Sequence, residues 1–251
     1  MLSNVENSND SAVVFRGVNK AYAETTVLQD LTLSLPAGQT TVIVGASGSG
    51  KTTLLQLING LERPDAGEVH VLGQPIPTDN LQPLRLRIGY AVQGAGLFPH
   101  LSAEENVTLV AGLAGWSQSA MSSRCGELMA AMELSSDIAQ RLPRQLSGGQ
   151  QQRLGLCRAL MLNPEILLLD EPFSAVDAVT RMGLYECFAG VTAGPNVTSV
   201  LVTHDLREAR LLADFLVILD QGRVVQSGLP DKVLANPETD FVERLIASQL
   251  S

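Results

Sequence analysis

The chain has 251 residues, of which 45% are hydrophobic and only 4% aromatic, so it can bury a sizeable core packed mainly by aliphatic side chains. The formal net charge of −9 argues against binding to nucleic acid or to anionic lipid by charge alone. The cysteines Cys125, Cys157 and Cys187 lack metal-ligand spacing, and we expect each to be a small buried side chain in a reduced, cytosolic protein.

The N-terminal segment is polar and lacks the cationic and apolar regions of a signal peptide. We expect residues 1–10 to be disordered and residues 11–250 to form a single domain. No stretch approaches the roughly 18 consecutive apolar residues that span a bilayer. If the protein acts at a membrane, another chain is expected to hold it there.

Short apolar and alternating runs predict strands in the first third of the chain, at residues 12–15, 26–35, 41–44 and 69–72. A helix is predicted to begin at Thr52 and to end before the turn at residues 64–67. The side chains that share its apolar face are Leu54, Leu55, Leu57, Ile58 and Leu61. Strands and helices that alternate in this way indicate an α/β protein.

From about Ala103 to Leu162 the pattern is mainly helical, with Leu109, Leu113 and residues 128–134 on apolar faces. We interpret residues 94–162 as a helical lobe inserted in the α/β domain. Further strands are predicted at residues 166–169, 197–202, 216–219 and 224–226, the last two joined by a hairpin turn at 220–223. An amphipathic helix is predicted over residues 240–250.

Residues 45–52 match the phosphate-binding pattern GxxxxGK[ST] and lie between a predicted strand and a predicted helix. Glycines let the backbone N–H groups converge on an anion at the helix N-terminus. We expect Lys51 to reach the β- and γ-phosphates of ATP and the Thr52 hydroxyl to ligate Mg²⁺. A glycine-rich turn without a ligand is the alternative. The predicted ATP-binding residues here are Gly45, Ala46, Ser47, Gly48, Ser49, Gly50, Lys51, Thr52 and Thr53.

Two acidic residues and a histidine follow apolar strands, at the strand ends where α/β sheets bind ligands. Asp170 can hold Mg²⁺ through water, and Glu171 can act as the general base that activates the attacking water. His204 can contact the γ-phosphate. Each of the three could instead be an ordinary surface residue, but the phosphate loop in the same chain favours the functional interpretation.

A second serine and glycine sequence starts another predicted helix, and it resembles the signature motif of ABC transporter ATPases. The motif residues are Leu146, Ser147, Gly148, Gly149 and Gln150. The resemblance covers residues from about Ala12 to Ile246. It implies that Tyr22 stacks on adenine, that Gln93 contacts the metal and the attacking water, and that Asp177 lies in a D-loop at the dimer seam.

The resemblance also implies a fold and partners. The fold is that of a P-loop NTPase: a RecA-like α/β core with an antiparallel β-subdomain and an inserted helical subdomain. Two copies of the chain, head to tail, enclose two ATP molecules with Mg²⁺, each between Lys51 of one copy and residues 147–149 of the other. Integral membrane permease subunits and an extracytoplasmic substrate-binding protein complete the transporter at the cytoplasmic face of the plasma membrane. Nucleic acid is not an expected partner.

Residues 88–93, 96–101, 105–107, 113–116 and 171–173 are similar to those of importer ATPases for quaternary amines such as glycine betaine, carnitine and choline. Many members of that group carry a C-terminal pair of CBS domains, which are not expected here. The alternatives are the ATPase of a polar amino acid or lipid transporter, a non-transport ABC ATPase, and a scaffold that binds ATP without turnover. Phe98, Pro99 and Leu101 form a candidate contact with a membrane subunit, unless they pack within the helical lobe.

Overall fold

The computed structural model describes residues 10–174, 176, 178–192 and 197–250. Of the N-terminal segment expected to be disordered, residues 1–9 lie outside this description. The carbonyl of Asp10 accepts a hydrogen bond from the N–H of Ala37 at 2.9 Å. The D-loop residue Asp177 also lies outside the described residues.

The regular elements, in chain order, alternate between strands and helices. The strands are β1 (Ser11–Tyr22), β2 (Thr25–Pro36), β3 (Thr40–Val44), β4 (Ala66–Val71), β5 (Gln74–Pro75), β6 (Ile88–Ala91), β7 (Ile166–Asp170), β8 (Thr198–Thr203), β9 (Phe215–Asp220) and β10 (Arg223–Gly228). The helices are α1 (Lys51–Ile58), α2 (Gln82–Arg85), α3 (Ala103–Leu113), α4 (Gln118–Ala131), α5 (Gly148–Leu160), α6 (Ala178–Thr192), α7 (Leu206–Leu212), α8 (Pro230–Ala235) and α9 (Asp240–Leu250). The chain divides into two compact units, residues 1–84 with 195–251 and residues 85–194.

The first unit contains an antiparallel sheet with strand order β2-β1-β4-β5. Its strand β1 runs to Tyr22, well beyond the predicted end at Phe15. The register against β2 shifts between Phe15 and Val18, where Gly17 has a φ of 57°. A bulge of this kind breaks the alternation of side chains. The sequence pattern therefore concealed the second half of the strand.

A second sheet of the first unit places β3 between β8 and β9, all three parallel, with β10 antiparallel to β9. Every residue of β3 and β8 is buried, as expected for central parallel strands. The predicted strand at 197–202 is shifted by one residue. The predicted hairpin is confirmed, since Gln221 and Gly222 have φ values of 44° and 76°, the left-handed pair that a tight two-residue turn requires.

Two predictions around α1 were wrong in detail. The helix ends at Ile58, and Gly60 has a φ of 66°, so Leu61 lies beyond the helix with 54% of its surface exposed. The strand predicted at residues 69–72 begins earlier, at Ala66. It ends at Val71 because Leu72 adopts a φ of 52° in the following turn.

The second unit pairs β6 with β7 in parallel and packs α3, α4 and α5 against one another. Leu113, predicted to lie on an apolar face, is the last residue of α3 and is 77% exposed. Residues 132–147, predicted within a helical stretch, form turns and the 3₁₀ segments Ser136–Ile138 and Pro143–Gln145. The three cysteines are buried, as predicted. Across the described ranges, no helix has the length and apolar character needed to cross a membrane.

Candidate functional site

The phosphate-loop sequence forms the turn between β3 and α1 in the first unit. The ammonium group of Lys51 donates hydrogen bonds to the carbonyls of Gly45 at 2.8 Å and Ala46 at 2.9 Å. Lys51 is only 6% exposed. A cation held over the inside of the loop is placed to meet the phosphates of a nucleotide.

Two glycines make this turn possible. Gly50, the residue before α1, has a φ of 102°, and a Cβ added to it would lie 2.9 Å from the carbonyl oxygen of Val27. A Cβ at Gly45 would lie 2.3 Å from the carbonyl oxygen of Leu219, closer than real Cβ contacts. The loop is therefore wrapped against two neighbouring strands, and a larger residue at either position would displace it.

The N-terminus of α1 fits an anionic ligand. No side chain forms a capping hydrogen bond there, and the first turn of α1 itself holds no acidic residue, so the helix supplies no anion of its own to its positive end. Within the described part of the chain, the buried Ser49 hydroxyl has no hydrogen-bond partner. Thr52 is exposed in the first turn and offers a hydroxyl oxygen, a ligand type that suits Mg²⁺.

His204 follows β8 in the first unit and is exposed. Its carbonyl accepts a hydrogen bond from Gln249 Nε2 at 3.0 Å, and Gln249 Oε1 accepts the N–H of Leu206 at 2.6 Å. One side chain from α9 therefore holds two backbone groups of the turn that begins at His204, one on each side of Asp205. The sequence did not single out Gln249, because its partners lie more than 40 residues away and no local pattern marks it.

Tyr22 is the last residue of β1 and is 40% exposed. The Lys20 ammonium lies 5.2 Å from the centre of its ring. A ring exposed in this way offers a surface for stacking. Its predicted contact with adenine stays a prediction.

The acidic pair of the second unit lies at the end of β7. Asp170 is the last residue of that strand and is 6% exposed. Burial raises the pKa of neighbouring Tyr90 to about 12, and the charge of Asp170 adds to the rise. The side-chain oxygens of Asp170 are hard ligands of the kind that suits Mg²⁺.

Glu171 follows with a φ of 45°, a left-handed conformation that is uncommon for a residue with a side chain. Its Oε2 accepts a hydrogen bond from Gln93 Nε2 at 3.3 Å. The structure thus brings together two of the predicted catalytic residues, although 78 positions separate them in the sequence.

The signature motif starts α5 in the second unit and forms a reciprocal cap. Ser147 Oγ accepts the N–H of Gln150 at 3.2 Å, and Gln150 Oε1 accepts the N–H of Ser147 at 2.9 Å. Ser147 and Gly148 are exposed. The serine hydroxyl accepts within the cap but keeps its own proton to donate, and first-turn N–H groups of a helix have no partners within it. This end of α5 can therefore receive an anion.

Comparison with known proteins places the chain in a family. The family model described as ABC transporter matches residues 28–174, more than half of the chain. The chain belongs to the ABC transporter family. A dimeric structure of the ATP-binding cassette MJ0796, in a post-hydrolysis state with ADP and Pi bound, is 33% identical with a TM-score of 0.80. It covers 87% of this chain and 98% of that one. The predicted ABC ATPase fold is confirmed.

Among curated relatives of this ABC cassette, the glycine betaine uptake system ATP-binding protein YehX of Escherichia coli K12 is 44% identical over 92% of this chain and 75% of its own length. The glycine betaine/carnitine/choline transport ATP-binding protein OpuCA of Bacillus subtilis is 40% identical over 94% of this chain and 60% of its own. The Fe(3+) ions import ATP-binding protein FbpC of Pseudomonas fluorescens is 43% identical over 90% of this chain and 64% of its own. The cassette thus spans less than two thirds of OpuCA and FbpC.

The predicted site residues of this ABC cassette are divided between the two units. The first unit carries Tyr22, the phosphate loop with Thr53, and His204; the second carries Gln93, Asp170, Glu171 and the signature motif. Phe98 is 44% exposed, Pro99 is exposed and Leu101 is half-buried, and their role as a contact for a membrane subunit stays a prediction.

Proposed function

We propose that the chain is the ATP-hydrolysing subunit of a transporter that imports quaternary amines such as glycine betaine or choline. The observation that carries this proposal is the 44% identity to the glycine betaine uptake protein YehX over 92% of the chain. OpuCA, whose name covers glycine betaine, carnitine and choline, is similar over nearly the same span.

Hydrolysis in this proposal is divided among a few side chains. Lys51 neutralises the charge of the β- and γ-phosphates, and Glu171 takes the proton of the attacking water. Gln93 orients that carboxylate, which it contacts at 3.3 Å. His204 acts on the γ-phosphate. Mg²⁺, with Thr52, Gln93 and Asp170 as its ligands, would supply charge stabilisation to the phosphates.

Two copies of the chain are proposed to enclose ATP head to tail. Each copy presents an anion-receptive helix end at Ser147 and Gly148, which is exposed and already capped. The cassette MJ0796, a solved relative, is dimeric in a post-hydrolysis state with ADP and Pi bound, which supports a dimer for this chain. Permease subunits at the cytoplasmic face of the membrane, and an extracytoplasmic substrate-binding protein, would convert closure of the dimer into import.

The similarity to FbpC favours a second candidate cargo, ferric iron, at 43% identity over 90% of the chain. The cassette's proposed site residues serve nucleotide and metal and do not contact the transported molecule. Only a measurement of transport can therefore distinguish quaternary amines from ferric iron as the transported molecule.

The test is uptake of labelled glycine betaine, choline and Fe³⁺ by cells that carry the whole transporter with this chain intact or as Glu171→Gln. We expect uptake of a quaternary amine with the intact chain and none with the variant. The matched control is Glu165→Gln, because Glu165 is an exposed carboxylate paired with Arg87. Uptake of iron alone would replace the first candidate by the second. Equal amine uptake with the intact chain and with Glu171→Gln would contradict the proposal that ATP hydrolysis by this chain drives import.

A further inference from the structure

The segment that follows Gln93 adopts a strained turn. Gly94, Ala95 and Gly96 all have positive φ values, 74°, 63° and 54°. The N–H of Gly96 donates to the carbonyl of Gly94 at 2.8 Å, which closes a three-residue turn with Ala95 at its centre. A three-residue turn whose central residue has a side chain and a positive φ is rare and strained. Such a conformation persists only where the surrounding structure holds it.

Arg158, near the end of α5, holds this turn. Its Nη1 donates to the carbonyl of Gly96 at 2.8 Å and its Nη2 to the carbonyl of Ala95 at 2.9 Å. The guanidinium also lies 5.9 Å from the ring centre of Phe98. Hydrogen bonds from a charged, planar donor are stronger and more directional than those between neutral groups. Arg158 therefore fixes both the position and the orientation of the two carbonyls.

The backbone of α5 also touches the turn directly. A Cβ added to Gly155, one helical turn before Arg158, would lie 3.2 Å from the Ala95 carbonyl oxygen and 3.3 Å from Ala95 Cα. The absence of a side chain at Gly155 lets the helix and the turn approach closely. Gly155 and Arg158 lie on the same face of α5. The close approach at Gly155 and the hydrogen bonds from Arg158 therefore both act on the turn at Ala95.

The other end of the segment is fixed to α3 by Asn106, which is fully buried. Asn106 Oδ1 accepts the N–H of Phe98 at 2.7 Å. Its Nδ2 donates to the carbonyls of Phe98, Leu101 and Ser102 at 3.0–3.1 Å. These four hydrogen bonds hold the C-terminal end of the segment in place. A displacement of α5 is therefore transmitted to the other end, which adjoins Gln93.

We propose that Arg158 is a positioning residue for ATP hydrolysis. It ties the turn after Gln93 to α5, which begins at Gly148 and is capped by Ser147. Gln93 stays against Glu171 while α5 holds the turn, and a shift of α5 moves Gln93 with it. The end of α5 that is able to receive an anion is thereby linked to the orientation of the proposed general base through 11 residues of one helix, from Gly148 to Arg158. The inference rests on the proposed roles of Gln93 and Glu171.

A double-mutant cycle on the full-length chain tests the inference, with kcat and KM for ATP as readouts. The variants are Arg158→Met, Gln93→Ala and the two combined. We expect Arg158→Met to lower kcat about tenfold with little change in KM, since the orientation of the base is lost and the phosphate loop is untouched. In the Gln93→Ala background the same change is expected to have no further effect on kcat.

The matched control is Arg153→Met, on the same helix. Arg153 also donates to a backbone carbonyl, that of Met132 at 3.1 Å, but it holds the end of α4 and not the turn. Its loss is expected to lower the melting temperature without changing kcat per folded molecule. If Arg158→Met does not fold, Arg158→Lys enters the same cycle, because lysine keeps the stem and the charge but lacks the planar fork.

Three outcomes would overturn the inference. One is a fall in kcat that is equally large with and without Gln93, which is what a purely structural residue would give. Another is an unchanged kcat in Arg158→Met while Gln93→Ala is impaired, which would leave the role of Gln93 standing. The third is an unchanged kcat in Gln93→Ala, which would remove the proposed role of Gln93 as well. A different transported cargo would leave all of these results as they are.

Discussion

Gln93 and Glu171 meet through one hydrogen bond, in which Nε2 of the amide donates to Oε2 of the carboxylate across 3.3 Å. The two residues follow the parallel neighbours β6 and β7, which explains how positions so far apart in the sequence come together. An amide does not titrate, so within this pair only Glu171 can take a proton from water. In the proposed mechanism, the amide orients the base and leaves the proton transfer to the carboxylate.

Replacement of Glu171 by Gln should therefore stop turnover and spare nucleotide binding. A general base contributes about 10²–10⁴ in rate, and we expect kcat to fall by that factor while the Kd for ATP stays within about twofold. Single-turnover kinetics and nucleotide titration check the two numbers. Glu165→Gln, which breaks only an exposed ion pair with Arg87, should retain full turnover. Unchanged turnover in Glu171→Gln would contradict the assignment.

Lys51→Ala, in contrast to Glu171→Gln, should weaken the binding of ATP itself. The ammonium group lies over the carbonyls of Gly45 and Ala46 inside the loop, so its removal takes a charged donor from the phosphates. A hydrogen bond to a charged group contributes about 1.5–3 kcal/mol, and we expect Kd to rise roughly ten- to hundredfold. Calorimetric titration with ATP measures it. Lys232→Ala, an exposed lysine of α8, is the control, and a Kd that rises equally in both variants would refute the specific role of Lys51.

Gln249→Ala should lower kcat about three- to tenfold without changing the affinity for ATP. Its side chain holds both the carbonyl of His204 and the N–H of Leu206, so its loss frees the turn that carries His204; each such bond contributes about 1 kcal/mol. The neighbouring Ser248 bonds only within α9, to the carbonyl of Leu245. Ser248→Ala should thus leave kcat unchanged. Steady-state kinetics on both variants decide whether α9 supports His204.

Stability should fall in alkaline solution partly through Cys125. Burial, and to a lesser extent the charge of Glu104, raises the pKa of this thiol from 9.0 to about 11. Between about pH 9 and 11 the unfolded chain loses the proton and the folded chain keeps it, so the free energy of unfolding decreases as pH rises. Below about pH 9 the thiol is protonated in both the folded and the unfolded chain, so the free energy of unfolding is not reduced by Cys125 there. Urea unfolding at several pH values should show a shallower decline for Cys125→Ala, and identical slopes would exclude the thiol.

The sequence predicted those parts of the fold and site that local chemistry decides. The glycines of residues 45–50 and the buried strand before them predicted the tight turn that leads into α1, and its binding of phosphate stays a prediction. The polar residues after apolar strands predicted the positions of Asp170, Glu171 and His204. Gln221 and Gly222 also formed the predicted turn, since two left-handed residues in a row leave few alternatives.

What the sequence did not predict depends on partners distant along the chain. The second half of β1 is a strand because β2 and β4 supply its hydrogen bonds across a bulge, and nothing in residues 16–22 alternates cleanly. Gln249 and Arg158 are polar residues on helices, and only the folded chain shows that their side chains hold the turns around His204 and after Gln93. Leu61 was misassigned because its spacing fits a helix that had already ended.

The reciprocal cap between Ser147 and Gln150 orders the start of α5 through hydrogen bonds that the chain makes with itself. The conformational entropy of this helix end is lost once, during folding, and is not lost again when two copies meet. In the proposed dimer, closure on ATP would then resemble the docking of rigid surfaces, in which affinity reports the phosphate contacts themselves. In that proposed dimer, release of the phosphate would part the same ordered surfaces, since the cap hydrogen bonds lie within one chain.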